Sequence, residues 1–451
     1  MRDLLLGIDV GTSVSKAAVV DADGRELAHG EAPTPWQRVE TGAETDPQVL
    51  FDAALAAARG ALANAPEGRV RGVGVTSMAE AGVLLDARGE VLAPTIVWHD
   101  TRGEEEAARI AADFGPERFA ERTGLPATAL CTLAKLRWLV HHRPETRAGA
   151  RWFNVAEWVA HRLGARHVSE LSLTSRTGLL DLSTKAPFHE AFEWVGLPEE
   201  LQGELVLAGT PIGTVDVSAL PEAAGAALTV GGHDHLCAGV GAGVVDPGDV
   251  LDSSGTAEAL VRVAAPLDAD QVRRSVAGGV TVGWHAVEGR HALLGAVWSG
   301  LALTEVLGAL GVTDAERDAL DSAAMALPPS DVPEIPLDLY SFERPPLELP
   351  EDLPAAAIWR GAIESAVSGV ERVLAHIEDI AGPRGRIVST GGWSRERAVM
   401  AAKDRIGRFE TPAVVQAGAR GAALLGGVAA GLYESADTLP PIPTLAAAER
   451  S

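Results

Sequence analysis

The stretch Gly7-Ile-Asp9-Val-Gly-Thr12-Ser13-Val-Ser-Lys16 decides how this chain is read. The apolar run Leu4–Ile8 leads into the turn Asp9-Val-Gly-Thr12, and Ser15–Asp21 leads out of it, which predicts strand, tight turn, strand. Asp23-Gly24 supplies a second turn that continues the meander. Glycine at a hairpin turn lets backbone N–H groups approach an anion closely. Thr12 and Ser13 add hydroxyls, Lys16 adds a cation on the outgoing strand, and Asp9 could hold Mg2+ through its water shell. A plainer reading, a hairpin that needs glycine only for its turn, stays open at this point.

The same device recurs at Asp252-Ser-Ser-Gly255-Thr256-Ala-Glu258, between Val250-Leu and the apolar run Ala259–Val263. Two such hairpins, one opening each half of the chain, suggest two walls that grip a polyphosphate. Val244-Val-Asp-Pro-Gly-Asp249 has the turn chemistry of a hinge and divides the chain into residues 1–247 and 248–451. Just before it stands Gly231-Gly-His233-Asp234-His235. An acid set in glycine after a buried strand can accept a proton from an attacking hydroxyl, although Asp is also a favoured helix cap. His233 and His235 lack the i, i+4 spacing of ligands on one helical face, so no metal is assigned to the histidines.

Gly391-Gly-Trp-Ser394 and Gly418-Ala-Arg-Gly421-Ala-Ala offer small residues against which a flat base could lie, or against which helices could pack. No Gly-x-x-x-x-Gly-Lys-[Ser/Thr] loop occurs, and Gly239-x-Gly241-x-Gly243 is assigned to helix packing. Apolar periodicity predicts helices over 47–63, 104–112, 132–142, 154–163 and 355–381, and strands over 70–75, 83–85 and 386–390. Residues 328–354, rich in proline and acid, predict a surface excursion. The tail after Glu434, with Pro440, Pro441 and Pro443, is expected to wrap the surface or fray.

At 451 residues, two lobes are the expected division. The balance of 38 basic against 62 acidic residues, a net charge of −24, argues against nucleic-acid and anionic-membrane partners. It also means that any bound triphosphate must be held by local N–H groups, Mg2+ and a few placed cations. Cys131 and Cys237 stand far apart without a metal-binding partner pattern, which fits a reducing cytoplasm. The opening apolar run is too short for a signal peptide, and no stretch approaches the roughly 18 apolar residues of a membrane helix. The expectation is a soluble, cytoplasmic protein.

Taken in order, these segments resemble the FGGY family of carbohydrate kinases, over about residues 4–432. Gly7-Ile-Asp9-x-Gly-Thr12 is similar to the family's first phosphate motif, Asp252-Ser-Ser-Gly-Thr256 to its second, and Gly391-Gly-x-Ser394 with Gly418–Ala423 to its adenosine region. Glu44-Thr-Asp46-Pro47, Trp98-His-Asp100-Thr-Arg102, Thr123-Gly-Leu-Pro126, Lys135-Leu-x-Trp138 and Phe342-Glu-Arg344-x-Pro346 recur in the family's order. The resemblance implies a two-lobed α/β fold of the actin–hexokinase (ribonuclease H-like) ATPase type, with the active site in the interlobe cleft. It implies a sugar-binding lobe over 1–247 and an ATP-binding lobe over 248–451. Asp234 would be the general base, with Glu80, Trp98, Asp100, His233 and His235 on the sugar. Thr12, Ser13, Lys16, Gly255, Thr256, Gly300, Gly391 and Gly392 would hold ATP and its phosphates, with Mg2+ near Asp9 and Asp234.

The departures bear on substrate. Glycerol kinases of the family carry an Arg-Glu pair where this chain has Ala79-Glu80, and a tyrosine near Leu130, so glycerol is not the expected acceptor. Met78 is similar to half of the xylulose kinases' Met-His pair, and His233 is compatible with ketose or deoxysugar kinases. The family's asparagine after the Gly-Gly motif is absent, with Glu396 and Arg397 nearby instead. The expected partners are a small sugar and ATP, and a homodimer is compatible with the family. Two rival readings remain on the same scaffold: a sugar- or nucleotide-binding regulator without turnover, and an actin-like ATPase that needs no sugar.

Overall fold

A computed structural model describes residues 2–341 and 346–442. The expected Phe342-Glu-Arg344 motif and Pro443 lie outside the described residues. The chain forms two compact units. The first contains the residues up to Val245, Ala265–Ala292 and Val414–Ile442, and the second contains Asp246–Ala264 and Leu293–Ala413. The first change of unit therefore falls two residues before the expected 247/248 division. The C-terminal half, however, is not one lobe, because two of its segments pack with the first unit.

The first unit is built on a meander of β1 (Arg2–Val10), β2 (Val14–Asp21) and β3 (Glu26–Pro33), all antiparallel. β4 (Gly68–Ser77) joins β1 in parallel, and the order is completed by β5 (Gly213–Thr214) and β6 (Ala227–His233), giving β5-β6-β4-β1-β2-β3. Leu6, Ile8, Val73, Val75 and Val230 are buried in the sheet, as near-continuous apolar runs of a covered sheet require. Helix α1 (Pro47–Ala63) begins where the sequence predicts, with the Asp46 side chain accepting from Gln48 N–H at 2.8 Å and proline in the first turn. It packs on β2 and β3. Helix α2 (Thr132–His142) follows, and α3 (Asp234–Gly241) starts directly at the end of β6.

The second unit repeats the strand–turn–strand opening. β7 (Val250–Ser254) and β8 (Glu258–Ala264) are antiparallel, with Ser254 opposite Glu258. With β9 (His291–Val297), β10 (Ile387–Thr390) and β11 (Phe409–Glu410) they form the order β9-β8-β7-β10-β11. Helix α4 (Ser299–Ala309) and the predicted long helix α5 (Ala355–Ala381) pack against each other. The surface excursion is only partly one. Ile335 and Leu339 are buried, because Gly361 and Gly369 on α5 leave room for the chain to lie against the helix.

Helix α6 (Ala417–Ala429) returns to the first unit and covers β1 and β4. Its approach is backbone to backbone. A Cβ on Gly7 would fall 1.7 Å from Ala419 O, one on Gly74 1.9 Å from Ala422 O, and one on Gly72 2.0 Å from Gly426 O. Gly7 and Gly74 are register partners on adjacent strands, so the glycines form one flat patch. Gly241 and Gly421 play the same part between α3 and α6. Gly241, Gly418 and Gly421 thus serve close packing, and residues 418–423 lie within the first unit. In the tail after Glu434, Asp437 pairs with Arg290, and just before it Tyr433 Oη donates to Ala22 O at 2.9 Å.

The glycine patch predicts opposite signs for two substitutions. Gly7→Ala should destabilise by about 3 kcal/mol through backbone overpacking. Gly60→Ala, mid-helix in α1 with only an ordinary 3.6 Å contact, should stabilise by about 0.5–1 kcal/mol. Urea midpoints of the two variants against wild type check both.

Candidate functional site

In the first unit the strand ends converge on one group of polar side chains. Asp9 lies near the C-terminal end of β1 opposite Lys16 on β2. Its Oδ1 is buried without a hydrogen-bond partner. Burial and then the charge of Asp234 push its carboxyl up to about 7, with Lys16 pulling the other way. The hairpin tip is fixed by tryptophans: Trp36 Nε1 donates to Thr12 O at 2.6 Å, and Trp98 Nε1 donates to Thr12 Oγ1 at 2.9 Å. Ser13 is exposed at the same tip.

Asp234 is the first residue of α3, immediately after β6. Its Oδ1 lies 3.1 Å from His233 Nε2 and accepts from His235 N–H at 2.7 Å. Burial would raise this carboxyl, but His235 and His233 outweigh it and draw it down to about 2. His233 is itself anchored, since its N–H donates to Ser172 Oγ, and Ser172 Oγ donates to the buried Glu170 at 2.7 Å. Donor atoms of His233, Asp234 and His235 lie within 4.8 Å of one another. They are closer than the helical-spacing argument implied, because His233 ends a strand while His235 begins a helix.

Glu80 follows β4 in a left-handed conformation, φ 56°, which L side chains seldom adopt. Arg176 holds its Oε1 through Nε and Nη2, each at 2.6 Å. Beneath these loops, Lys135 Nζ donates to Glu80 O at 3.0 Å, Trp98 O at 2.6 Å and Leu130 O at 2.9 Å. Neither Arg176 nor Lys135 was assigned to the site from the sequence. The only signal for Lys135 was its place in a recurring family motif.

Asp100 requires a correction. It is fully buried, and Arg102 occupies both carboxylate oxygens at 2.8 and 2.9 Å, with Ala43 N–H on Oδ2 at 3.1 Å. Burial raises its pKa, but the bonds to Arg102 overcome that and leave it below the usual range. Asp100 therefore braces the loop that carries Trp98 and has no oxygen left for a sugar.

The second unit gathers its predicted residues around the β7–β8 turn. Gly255 and Thr256 form the tip, and Leu301 N–H on α4 donates to Thr256 O at 2.8 Å. A Cβ on Gly300 would fall 1.9 Å from Gly255 O, and Gly391, φ 94°, approaches Ser254 O just as closely as a Cβ-free residue permits. Beside Gly392 opens a cavity of about 480 Å3, lined by Thr304, Leu307, Val312, Arg317, Trp393 and Glu396 among others. The Arg317 guanidinium lies 4.8 Å from the Trp393 ring centroid and 3.4 Å from Glu396, and its Nε is buried without a partner. Asp252, similar in sequence to Asp9, is neutralised: Lys403 Nζ bonds its Oδ2 at 2.7 Å and also pairs with Glu258.

A meander joined by parallel strands, with a second unit opening on the same hairpin, defines an ATPase-like α/β class. Residues 4–241 match the sequence family described as the FGGY family of carbohydrate kinases, N-terminal domain. The chain belongs to that family. It is 33% identical over 273 residues to a xylulose kinase of Streptomyces rubiginosus, a match covering 59% of this chain and 56% of that relative. The match thus spans little more than half the relative's length. A glycerol kinase of Aromatoleum aromaticum is 28% identical over 463 residues, covering 96% of this chain and 92% of that one. The crystal structure of a xylulose kinase from Rhodospirillum rubrum superposes with a TM-score of 0.86 at 25% identity, covering 98% and 93% of the two chains. The fold is accordingly the two-domain actin–hexokinase type.

Two buried lysines make testable demands. Lys403→Met would leave Asp252 and Glu258 buried without their cation, and should destabilise by about 3–5 kcal/mol in urea unfolding. Burial lowers the Lys135 pKa to about 8, against an ordinary 10.5, with Glu80 pulling it back up. Between those values unfolding takes up a proton, so stability attributable to this group rises with pH. Relative to Lys135→Met, wild type should gain up to about 1.4 kcal/mol per pH unit above pH 8. Parallel stability profiles for the two proteins would remove the assignment.

Proposed function

We propose that this chain transfers the γ-phosphoryl group of ATP to a hydroxyl of a small sugar or polyol, with Asp234 as the base. The observation that carries the reading is the strand–helix junction at Asp234, where an ionised carboxylate stands beside the unpartnered carboxylate of Asp9. Two nearby carboxylates, one with a buried oxygen that nothing satisfies, are chemistry suited to a divalent cation. Asp9 and Asp234 would hold Mg2+ through its waters, and the cation would offset phosphate charge in an acidic chain. The three donors at 233–235 fit a cation too, but a hard, hydrated ion prefers the carboxylates to imidazole.

Asp234 accepts a hydrogen bond from the acceptor hydroxyl and aims its oxygen at the γ-phosphorus. As the new O–P bond forms and the β–γ bridging bond breaks, ADP leaves and the hydroxyl proton passes to Asp234. A carboxylate with so low a pKa is a weak base, so the proton moves late, when the hydroxyl has become acidic. That order suits phosphoryl transfer, which asks mainly for positioning and charge stabilisation. Lys16 and the Thr12 and Ser13 hydroxyls would meet the phosphates on the first hairpin, and Gly255 and Thr256 on the second. Adenine fits the 480 Å3 cavity against Trp393, with Arg317 and Glu396 in place of the family's asparagine. Glu80, Trp98, His233 and His235 would line the sugar. No described helix is long and apolar enough to cross a membrane.

The test is ADP release with Mg-ATP across ketoses, deoxyketoses, aldoses and polyols, with a no-sugar control. Strong stimulation by one or a few acceptors is expected, and Asp234→Asn should lower it by about 10²–10⁴-fold while leaving ATP binding intact. Intact ATP binding with no stimulation would favour the binding-only regulator. A high sugar-independent rate, unchanged in the variant, would favour the ATPase.

A further inference from the structure

The position before Glu80 is Ala79, so no neighbouring arginine in sequence accompanies the carboxylate. The structure supplies one from elsewhere. Arg176 grips Glu80 Oε1 with two nitrogens at 2.6 Å, and its third nitrogen, Nη1, donates to Thr281 Oγ1 at 2.7 Å. The side chains of Glu80 and Arg176 retain 12% and 14% exposure. Among the described residues no hydrogen bond reaches Glu80 Oε2. His235, next to Asp234, lies within electrostatic reach of both members of the pair. The backbone beneath Glu80 is held in a strained conformation by Lys135, and strain of this kind persists where surrounding bonds over-determine it.

We propose that Arg176 is the positioning residue for acceptor recognition, clamping one oxygen of Glu80 so that the other receives a hydroxyl of a neutral polyhydroxy acceptor. This rests on the kinase reading above and adds the acceptor's chemical class. The charge balance selects neutrality. Arg176 is spent on Glu80, so its guanidinium is already engaged and is not open to pair with the carboxylate of an acidic sugar. A free arginine would have favoured a carboxylate-bearing acceptor through a bidentate pair. A carboxylate with one oxygen held by a fork and no hydrogen bond on the other instead accepts from a hydroxyl and rejects an analogue lacking it.

The experiment uses the full chain and the best-accepted neutral sugar of the panel, with gluconate as the anionic member and a deoxy analogue of the accepted sugar. Wild type is expected to turn over the neutral acceptor and not gluconate. Arg176→Met should raise the acceptor KM about tenfold with KM for ATP changed less than twofold, and Arg176→Lys should recover part of the loss. The penalty for the deoxy analogue should shrink in Arg176→Met and in Glu80→Gln alike, and the double variant should be no worse than the poorer single one. Should Arg176→Met fail to fold, Arg176→Lys and Thr281→Val carry the same comparison. If wild type is stimulated by no acceptor at all, the kinase reading falls and this inference with it. If wild type turns over but prefers gluconate, or the variants raise both KM values together with the deoxy penalty intact, Arg176 is a structural residue and only this inference is overturned.

Discussion

Contact between the backbone of α6 and the glycine patch on β1 and β4 is the constraint on which the first unit depends. With Gly7, Gly72 and Gly74 bare, Ala419, Ala422 and Gly426 sit against the strands themselves. The helix also touches the site directly, because a Cβ on Gly418 would fall 2.2 Å from Asp9 Oδ2. One packing requirement thus fixes how far Asp9 is buried and leaves its carboxylate oxygens with few protein partners. The carboxyl's raised pKa follows from that burial before any neighbour is considered.

The two hairpins show how like sequences take different electrostatic roles. Asp9 is left without a cation on its Oδ1, whereas Asp252 receives Lys403, and Ser389 Oγ donates to the same oxygen at 2.6 Å. The second hairpin therefore has an ion-paired core beneath it, with Gly255 and Thr256 at its tip. The first hairpin instead keeps a carboxyl that burial pushes up to about 7, with Lys16 opposing the shift.

Much of the fold was legible because its signals are local. The hairpin turns, the Asp46-Pro47 start of α1, the apolar face of α5 and the strand before Asp234 each depend on residues a few positions apart. What was missed depends on partners far away in sequence. Gly418–Ala423 looked equally apt for a flat base or for packing, and the packing becomes visible only with the distant glycines at 7, 72 and 74. Asp100 was expected on the sugar because Trp98-His-Asp100-Thr-Arg102 resembles the family's segment, yet Arg102, two residues on, closes over it. Arg176 and Thr281 stand 96 and 201 positions beyond Glu80, and nothing in their own surroundings marks them. The spacing rule for histidines did not foresee that donor atoms at 233–235 lie close together, because it assumes one helix, while the segment spans a strand end and a helix start.

The state of Asp234 bears on whether this scaffold turns over or only binds. A carboxylate that merely capped α3 would gain most from backbone N–H donors and would need no histidine on either side. Here the N–H contact comes from His235, and the side chain of His233, itself held through Ser172 to buried Glu170, adds a bond that keeps the group ionised. That arrangement spends buried polar groups on the protonation state of one atom. An ionised carboxylate can draw a hydroxyl proton as the oxygen commits to phosphorus, which a neutral asparagine cannot. The network around Asp234 therefore weighs toward chemistry, and the strained, clamped Glu80 beside it toward a particular acceptor.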